Sequence, residues 1–186
     1  MENIIEQVRE FVENECKKPT SKYGYEPYSF HFVPMHNYAK MLAEKIGADI
    51  ELVEVAAWLH DIGSIIRGRN DHHITGAAIA EEKLRALGYP EEKIILVKDC
   101  ILSHRGSVIM EKQTKEAKII ADADAMSNFD NIGGIFRAAY SFENRNQGEG
   151  IKEVLRKLTN CFNKLSTDEA KEIIRPKMEA AKLLFN

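Results

Sequence analysis

The stretch Ala56-Ala57-Trp58-Leu59-His60-Asp61-Ile62-Gly63 decides how this sequence folds and where its chemistry lies. An apolar helical run ends there in an imidazole and a carboxylate, just before a glycine. Burying both groups is costly unless something binds them, and a metal ion binds both. The chain supplies further donors of the same kinds: His36 upstream, and His72, His104 and Asp124 downstream.

Two adjacent residues share a metal ion only under a geometric condition. His60 and Asp61 would point about 100° apart on a helix, so the ion must lie beyond the helix end, or the backbone must turn. Gly63 permits such a turn. Further along, Asp122 and Asp124 lie among apolar residues, and we expect Asp122 to be structural while Asp124 faces the metal. This mixed nitrogen and oxygen set suits Mn, Fe, Co, Ni or Zn, and suits Mg less well.

Composition bounds the class of protein. The chain has 186 residues, of which 44% are hydrophobic and 30% charged, as expected for one globular domain over residues 1–186. The net charge of −3 provides no basic field, so we expect no nucleic-acid polymer as a partner. Three scattered cysteines favour reduced thiols. We find no signal peptide and no apolar stretch that would span a membrane, and therefore expect a cytoplasmic protein.

Periodicity predicts an all-α protein, a single-domain bundle of about eight to ten helices. One helix should run from Pro34 to Ile46 and stop at Gly47. Loops are expected around Gly63 and over 144–150. The sequence also predicts a kink or split of the last helix at Pro176. Three helix starts are predicted from their capping residues: Asp49, Thr114, and a capping box of Ser166 with Glu169.

The ordered set His36, His60-Asp61 and Asp124 resembles the HD-domain metal-dependent phosphohydrolase superfamily, named for its His-Asp pair. The segment from Asp71 to Ala77, with His72 at its start, looks like a helix start found in many members. The resemblance covers about residues 30–140, with the N-terminal and C-terminal helices expected to pack on this core. The chain is similar to small stand-alone HD hydrolases, whose fold is an all-helical bundle.

This resemblance implies roles for individual residues. His36, His60, Asp61 and Asp124 would be the metal ligands. His72 and His104 would be ligands of a second metal, or contacts of the substrate and its leaving group. One or two divalent ions would activate water to attack a phosphate ester, and the catalytic residues would be Asp61, His72 and His104.

The expected substrate is a small phosphorylated metabolite, plausibly a nucleotide, whose phosphate Arg67, Arg69 and Arg105 would bind. Monoester and diester substrates both stay open, and a homo-oligomer is compatible with the sequence. His31 and His73 are interpreted as surface or packing histidines. Many relatives have an acidic residue soon after the last Asp, whereas this chain has Met126-Ser127-Asn128.

Two other functions use the same residues. Some HD-fold proteins are di-iron oxygenases that hold their iron with the same six ligands. The domain would alternatively be a catalytically silent nucleotide-binding regulator, although all the expected ligands are present.

Overall fold

The computed structural model describes residues 3–104 and 112–185, which form an all-α bundle. Within these residues there are ten α-helices, two π-helical turns (Tyr28–Phe32 and Ala138–Phe142) and no strand, so the predicted fold class is confirmed. None of the helices described has the length and apolar character needed to cross a bilayer. The α-helices are α1 (Ile4–Lys17), α2 (Val33–Ile46), α3 (Ile50–Leu59), α4 (Ile62–Arg67), α5 (His72–Ala86), α6 (Glu91–Ser103), α7 (Lys115–Ser127), α8 (Ile132–Arg137), α9 (Gln147–Lys164) and α10 (Asp168–Phe185).

Several helix ends lie where the sequence predicts them. Gly47 ends α2 in the left-handed conformation, with φ 69°, which a residue without Cβ adopts without strain. At the start of α3, the Asp49 carboxylate accepts a hydrogen bond from the Leu52 amide at 3.0 Å. At the start of α7, the Thr114 hydroxyl accepts one from the Ala117 amide at 3.1 Å. These caps satisfy amides that have no partner inside the helix.

Helix α3 lies at the centre of the bundle, in contact with α1, α2, α6 and α7. All its residues from Leu52 to Leu59 are buried, as expected for a helix that is covered on every side. The C-terminal end of α3 therefore carries His60 and Asp61 into the interior.

Gly63 lies inside α4 and not in a loop, which corrects the prediction. The chain turns two residues earlier, at Asp61, where φ is −114° and ψ is 14°. A Cβ atom on Gly63 would lie 2.2 Å from the carbonyl oxygen of His72 and 2.6 Å from the amide nitrogen of Gly76. Close packing of α4 on α5, and not the turn, is what requires a glycine here.

The C-terminal part of the chain is more regular than predicted. Helix α10 is continuous through Pro176, so the predicted kink or split is wrong. Pro176 removes one helical donor, and the acceptor it would have served, the carbonyl of Glu172, is on an exposed residue that water can reach. The predicted loop over 144–150 is also shorter, because Asn146 and Glu149 form a capping box that starts α9.

Asp122 ties the C-terminal helices to α7. It accepts hydrogen bonds from the amides and hydroxyls of both Ser166 and Thr167, at 2.7–3.0 Å. The Ser166 hydroxyl is thus engaged with Asp122, and Thr167 accepts from the Ala170 amide at 3.4 Å instead. The predicted cap of α10 is therefore displaced by one residue, and Asp122 has the structural contacts expected of it.

Candidate metal centre

Six potential metal donors come together at the end of α3. They form two groups, His31, His60 and Asp124 in one and Asp61, His72 and His104 in the other. Within each group, one ligand atom from every residue lies within 4.8 Å of the others. This clustering brings together residues from five separate parts of the chain.

Asp61 faces both groups with different oxygens. Its Oδ2 lies 3.5 Å from Nε2 of His31 and 3.9 Å from Nε2 of His60. Its Oδ1 lies 3.3 Å from Nε2 of His72 and 3.7 Å from Nε2 of His104. One carboxylate thus spans the two groups, in the manner of a bridge between two cations.

Helix ends position most of these side chains. His60 directly follows α3 and His104 directly follows α6, while His72 begins α5. Asp124 projects from within α7. Because the ends of α3, α5 and α6 meet beside α7, the four side chains share one space.

Three histidines are held in the same way. Nδ1 donates a hydrogen bond to the backbone carbonyl three residues earlier, at 2.8 Å for His60, 2.9 Å for His72 and 2.6 Å for His104. With the proton on Nδ1, Nε2 of a neutral ring carries the lone pair. Each ring therefore presents a ligand-ready nitrogen to the cluster, and the backbone fixes its orientation.

His31 is anchored by a side chain instead. The Ser127 hydroxyl donates to the Asp124 carbonyl at 2.8 Å, so it accepts the hydrogen bond from Nδ1 of His31 at 3.0 Å. Nε2 of His31 then lies 3.0 Å from Nε2 of His60. Two lone pairs at this distance repel unless a proton or a metal ion interacts with them, so the donors present fit a divalent transition metal.

The electrostatics of His60 and Asp61 favour the same conclusion. Burial lowers the pKa of His60 to about 4, which keeps its ring neutral. Burial alone would raise the pKa of Asp61, but its contacts with His104 and His31 hold that pKa well below the usual range. Neutral imidazole and ionised carboxylate are the forms that bind metals. In the metal-free protein, burial would lower the pKa of His31 and His104, but Asp61 and Asp124 raise it, so a proton there competes with a metal ion.

The structure places His36, predicted to be a metal ligand, outside both groups. Its Nε2 lies 3.0 Å from Oε1 of Glu54, and its ring stacks on Trp58 with the centroids 4.7 Å apart. His31, interpreted from sequence as a surface or packing residue, occupies the position expected for His36.

The backbone before α2 explains why His31, and not His36, reaches the cluster. The helical path begins at Tyr28 with a π-helical turn, six residues before the predicted start at Pro34. Tyr28 stacks between Tyr25 and Trp58, at centroid distances of 5.4 and 5.8 Å, which holds the turn against α3. His31 lies within this turn, and π-helical turns are frequent at functional sites.

The sequence signal for His31 is that it lies between the aromatic residues Tyr28 and Phe32. Both are buried in the structure, so His31 faces a packed interior and not the irregular segment that the sequence predicts. Pro34, as a favoured first-turn residue, instead predicts that His36 lies in the first turn of a helix.

The segment after Asp124 also has a role in the site. Ser127 holds His31 as described, and Nδ2 of Asn128 donates to the Asp124 carbonyl at 2.9 Å. Met126 is fully buried in the core. Ser127 and Asn128 therefore supply hydrogen-bonding groups around the Asp124 backbone.

The arginines predicted to bind phosphate stand apart from this arrangement. Arg67 and Arg69 are exposed at and after the end of α4, and the structure records no ion pair for either among the residues it describes. Arg105 lies outside the described residues. The role of all three stays a prediction.

The family comparison agrees with this site. The HD domain family matches residues 28–128, which include all six donors. This protein belongs to the HD domain family. Ribonuclease Y of Enterococcus faecalis is 32% identical over 97 residues, which are 52% of this chain and only 17% of that protein.

Solved structures share the fold over nearly the whole chain. Bacillus subtilis YpgQ, solved in complex with ADP, has a TM-score of 0.75 and 20% identity, and the match covers 97% of this chain and 90% of YpgQ. An HD-superfamily hydrolase from Bacillus thuringiensis has a TM-score of 0.73 and 20% identity, covering 97% and 94%. At this identity the likeness establishes the fold.

Proposed function

We propose that this protein is a divalent-metal-dependent phosphohydrolase that acts on a small phosphorylated metabolite, in the first instance a nucleotide. The observation that carries the proposal is the six-donor cluster in which Asp61 faces both groups of ligands. Membership of the HD domain family supports the same chemistry.

The ligand set divides between two sites. His31, His60 and Asp124 with Oδ2 of Asp61 would hold one ion, and His72 and His104 with Oδ1 of Asp61 would hold a second. The nitrogen-rich donors favour Mn, Fe, Co, Ni or Zn over Mg. A bound ion supplies Lewis acidity, which lowers the pKa of coordinated water and withdraws charge from a phosphoryl oxygen.

The protein's own side chains would orient the reaction. The carboxylates are the most open groups of the cluster, with side chains 30% exposed for Asp124 and 24% for Asp61, so the substrate would approach from their side. The side chain of His72 is 10% exposed and that of His104 only 3%. With an ion in the first site only, Nε2 of His72 would be the better placed of the two to give a proton to the leaving oxygen, and His104 to hold Asp61.

Two relatives guide the choice of substrate class. YpgQ, which shares the fold, was solved with ADP, and this supports a nucleotide. The matched part of ribonuclease Y belongs to a protein named for RNA cleavage, which makes a phosphodiester the natural second choice.

The test is phosphate release from metal-stripped protein after separate addition of Mn, Co, Ni, Fe, Zn or Mg. The panel should include nucleotides, sugar phosphates and a dinucleotide diester. Asp61→Ala and the similarly sized Asp61→Asn should both lose activity and retain helical circular dichroism. Asp168→Ala is the matched control, because the Asp168 side chain is 99% exposed on α10.

Metal-dependent hydrolysis by the wild type and Asp168→Ala alone would support the proposal. Equal hydrolysis by both Asp61 variants would contradict the site assignment. A folded, metal-loaded protein that hydrolyses nothing would contradict the hydrolase. O₂ consumption by the iron-loaded protein would then favour the oxygenase, and nucleotide binding without turnover would favour the regulator.

A further inference from the structure

Helix α9 carries a half-buried lysine on its inward face. The helix packs against α7, which carries Asp124. Its inward face is marked by the buried Glu153, Val154 and Leu158, and Lys157 lies on the same side, half-buried. The position lies beyond residues 28–128, so it belongs to the part of the chain outside the family match.

The positive charge of Lys157 acts on two neighbouring side chains, those of His31 and Cys161. Burial alone would lower the pKa of His31, but its contacts with Asp61 and Asp124 raise it, and the positive charge of Lys157 opposes that rise. On α9 itself, burial raises the pKa of the Cys161 thiol, Asp124 raises it further, and Lys157 opposes them. Together with the packing of α9 on α7, which carries Asp124, these charge effects support a position of Lys157 near the group formed by His31, His60 and Asp124.

Lys157 has no acidic partner among the residues that the structure describes. Glu153, four residues earlier, would be the usual helical partner. Its Oε1 and Oε2, however, lie 2.5 and 2.7 Å from the guanidinium of Arg156, and Oε2 is also 3.5 Å from Arg145. Since two arginines engage this carboxylate, the ammonium group of Lys157 is left available beside the site.

We propose that Lys157 binds a phosphate oxygen of the substrate, an inference that rests on the proposed function. A compact ammonium group is a common partner of phosphate. A half-buried one binds more strongly than the exposed Arg67 and Arg69, because the surrounding solvent screens it less. Lys157 would therefore fix the substrate phosphate on the α9 side of the metal centre.

The experiment compares Lys157→Gln, Lys157→Arg and Lys157→Met in the Mn-loaded full chain. Lys152→Gln is the matched control, since Lys152 is exposed on the same helix. Calorimetry measures binding of ADP, adenosine and inorganic phosphate, elemental analysis measures bound Mn, and kinetics separate KM from kcat for the best substrate of the panel.

Loss of a hydrogen bond between charged groups should weaken ADP binding by about 10-fold or more in Lys157→Gln and Lys157→Met. Lys157→Arg should retain part of the affinity. Mn content and any binding of adenosine should not change, and Lys152→Gln should behave as the wild type. The rise in KM should exceed the fall in kcat, because the contact is formed with the bound substrate as well as in the transition state.

Unchanged ADP affinity and KM in Lys157→Gln would overturn this inference and leave the hydrolase standing. Absence of ADP and inorganic phosphate binding by the wild type would overturn it too. Weaker ADP binding in Lys157→Gln, in a protein that hydrolyses nothing, would support the lysine contact while the hydrolase failed. A parallel loss of Mn would assign Lys157 to the integrity of the metal centre and overturn the phosphate contact.

Discussion

His31 and His36 lie five residues apart and have nearly equal exposure, with side chains 17% and 14% exposed, yet they belong to different regions of the molecule. Nε2 of His31 faces His60 and the two aspartates, whereas Nε2 of His36 faces Glu54. Residue type and burial are therefore the same, and the partner of Nε2 is what differs. A histidine is a candidate ligand when its second nitrogen is anchored and its free nitrogen meets other donors.

Helical geometry separates the two rings. At about 100° per residue, five positions along a helix place two side chains roughly 140° apart. His31 is therefore directed towards the end of α3, while His36 contacts Trp58 and Glu54 within α3. Only one of the two can reach the cluster, and the π-helical turn determines which.

The largest expected effect is on metal affinity. His31→Ala removes a proposed ligand, so Mn or Zn affinity should fall by about 100-fold or more, since losing even an outer hydrogen-bond partner typically costs 10–100-fold. His36→Ala should retain the metal. Competition with a chelator measures both. Equal retention by the two variants would remove His31 from the centre, and selective loss in His36→Ala would restore the original assignment.

The second effect is on folding stability, where His36→Ala is expected to be more damaging than His31→Ala. In the metal-free protein, His36→Ala should lower the free energy of unfolding by about 2 kcal/mol, through the lost ring stack on Trp58 and the lost contact with the buried Glu54. His31→Ala should change it little, because it also removes the close contact of two nitrogens. Urea unfolding followed by circular dichroism measures the difference.

His36→Phe separates the two causes of this destabilisation. It keeps a flat ring against Trp58 but offers no hydrogen-bonding nitrogen to Glu54. A free energy of unfolding midway between those of the wild type and His36→Ala would show that the ring stack on Trp58 and the contact with Glu54 both contribute to stability. If His31→Ala proves the more destabilising of the two alanine variants, the proposed division between a functional and a structural histidine fails.

The third effect, also on metal affinity, depends on how the His31 ring is oriented. Ser127→Ala removes the hydroxyl that accepts from Nδ1 of His31, so metal affinity should fall by about 10-fold, within the range known for outer-shell partners. Ser29→Ala, an exposed serine in the same π-helical turn, is the control and should bind metal as the wild type does. An unchanged affinity in Ser127→Ala would show that packing alone orients the ring.

The sequence predicts most of this site because helix ends carry it. Asp61 follows an apolar run, and His72 follows a polar loop, so local signals placed both at helix boundaries. His31 could not be placed in this way. Its role depends on a π-helical turn and on a hydroxyl 96 positions later in the chain, and neither is encoded in the local pattern.

Gly63 and Lys157 show two further limits of the sequence. The sequence predicts Gly63 as a turn residue, but the close approach of α5 is what requires a glycine there. Lys157 has no motif around it, and its position near His31 follows only from how α9 packs on α7. Contacts between distant segments decide both residues, whereas capping and periodicity report only on neighbours along the chain.

The smallest expected effect is a pH dependence that distinguishes His36. Burial lowers the pKa of His36, against the raising effect of Glu54, so the unfolded chain binds more protons than the folded one just below the ordinary pKa of about 6.5. Stability from this residue is therefore present above about pH 6.5 and is lost as the pH falls towards the folded pKa. His36→Gln should remove that loss.

The measurement is urea unfolding of metal-free wild type and His36→Gln at pH 8 and pH 5.5. The other histidines titrate in both proteins, so their contribution cancels in the difference. The stability advantage of the wild type should shrink at pH 5.5, by less than about 1 kcal/mol. A wider advantage at pH 5.5 would mean that the ion pair of a charged His36 with Glu54 outweighs the effect of burial on the pKa of His36.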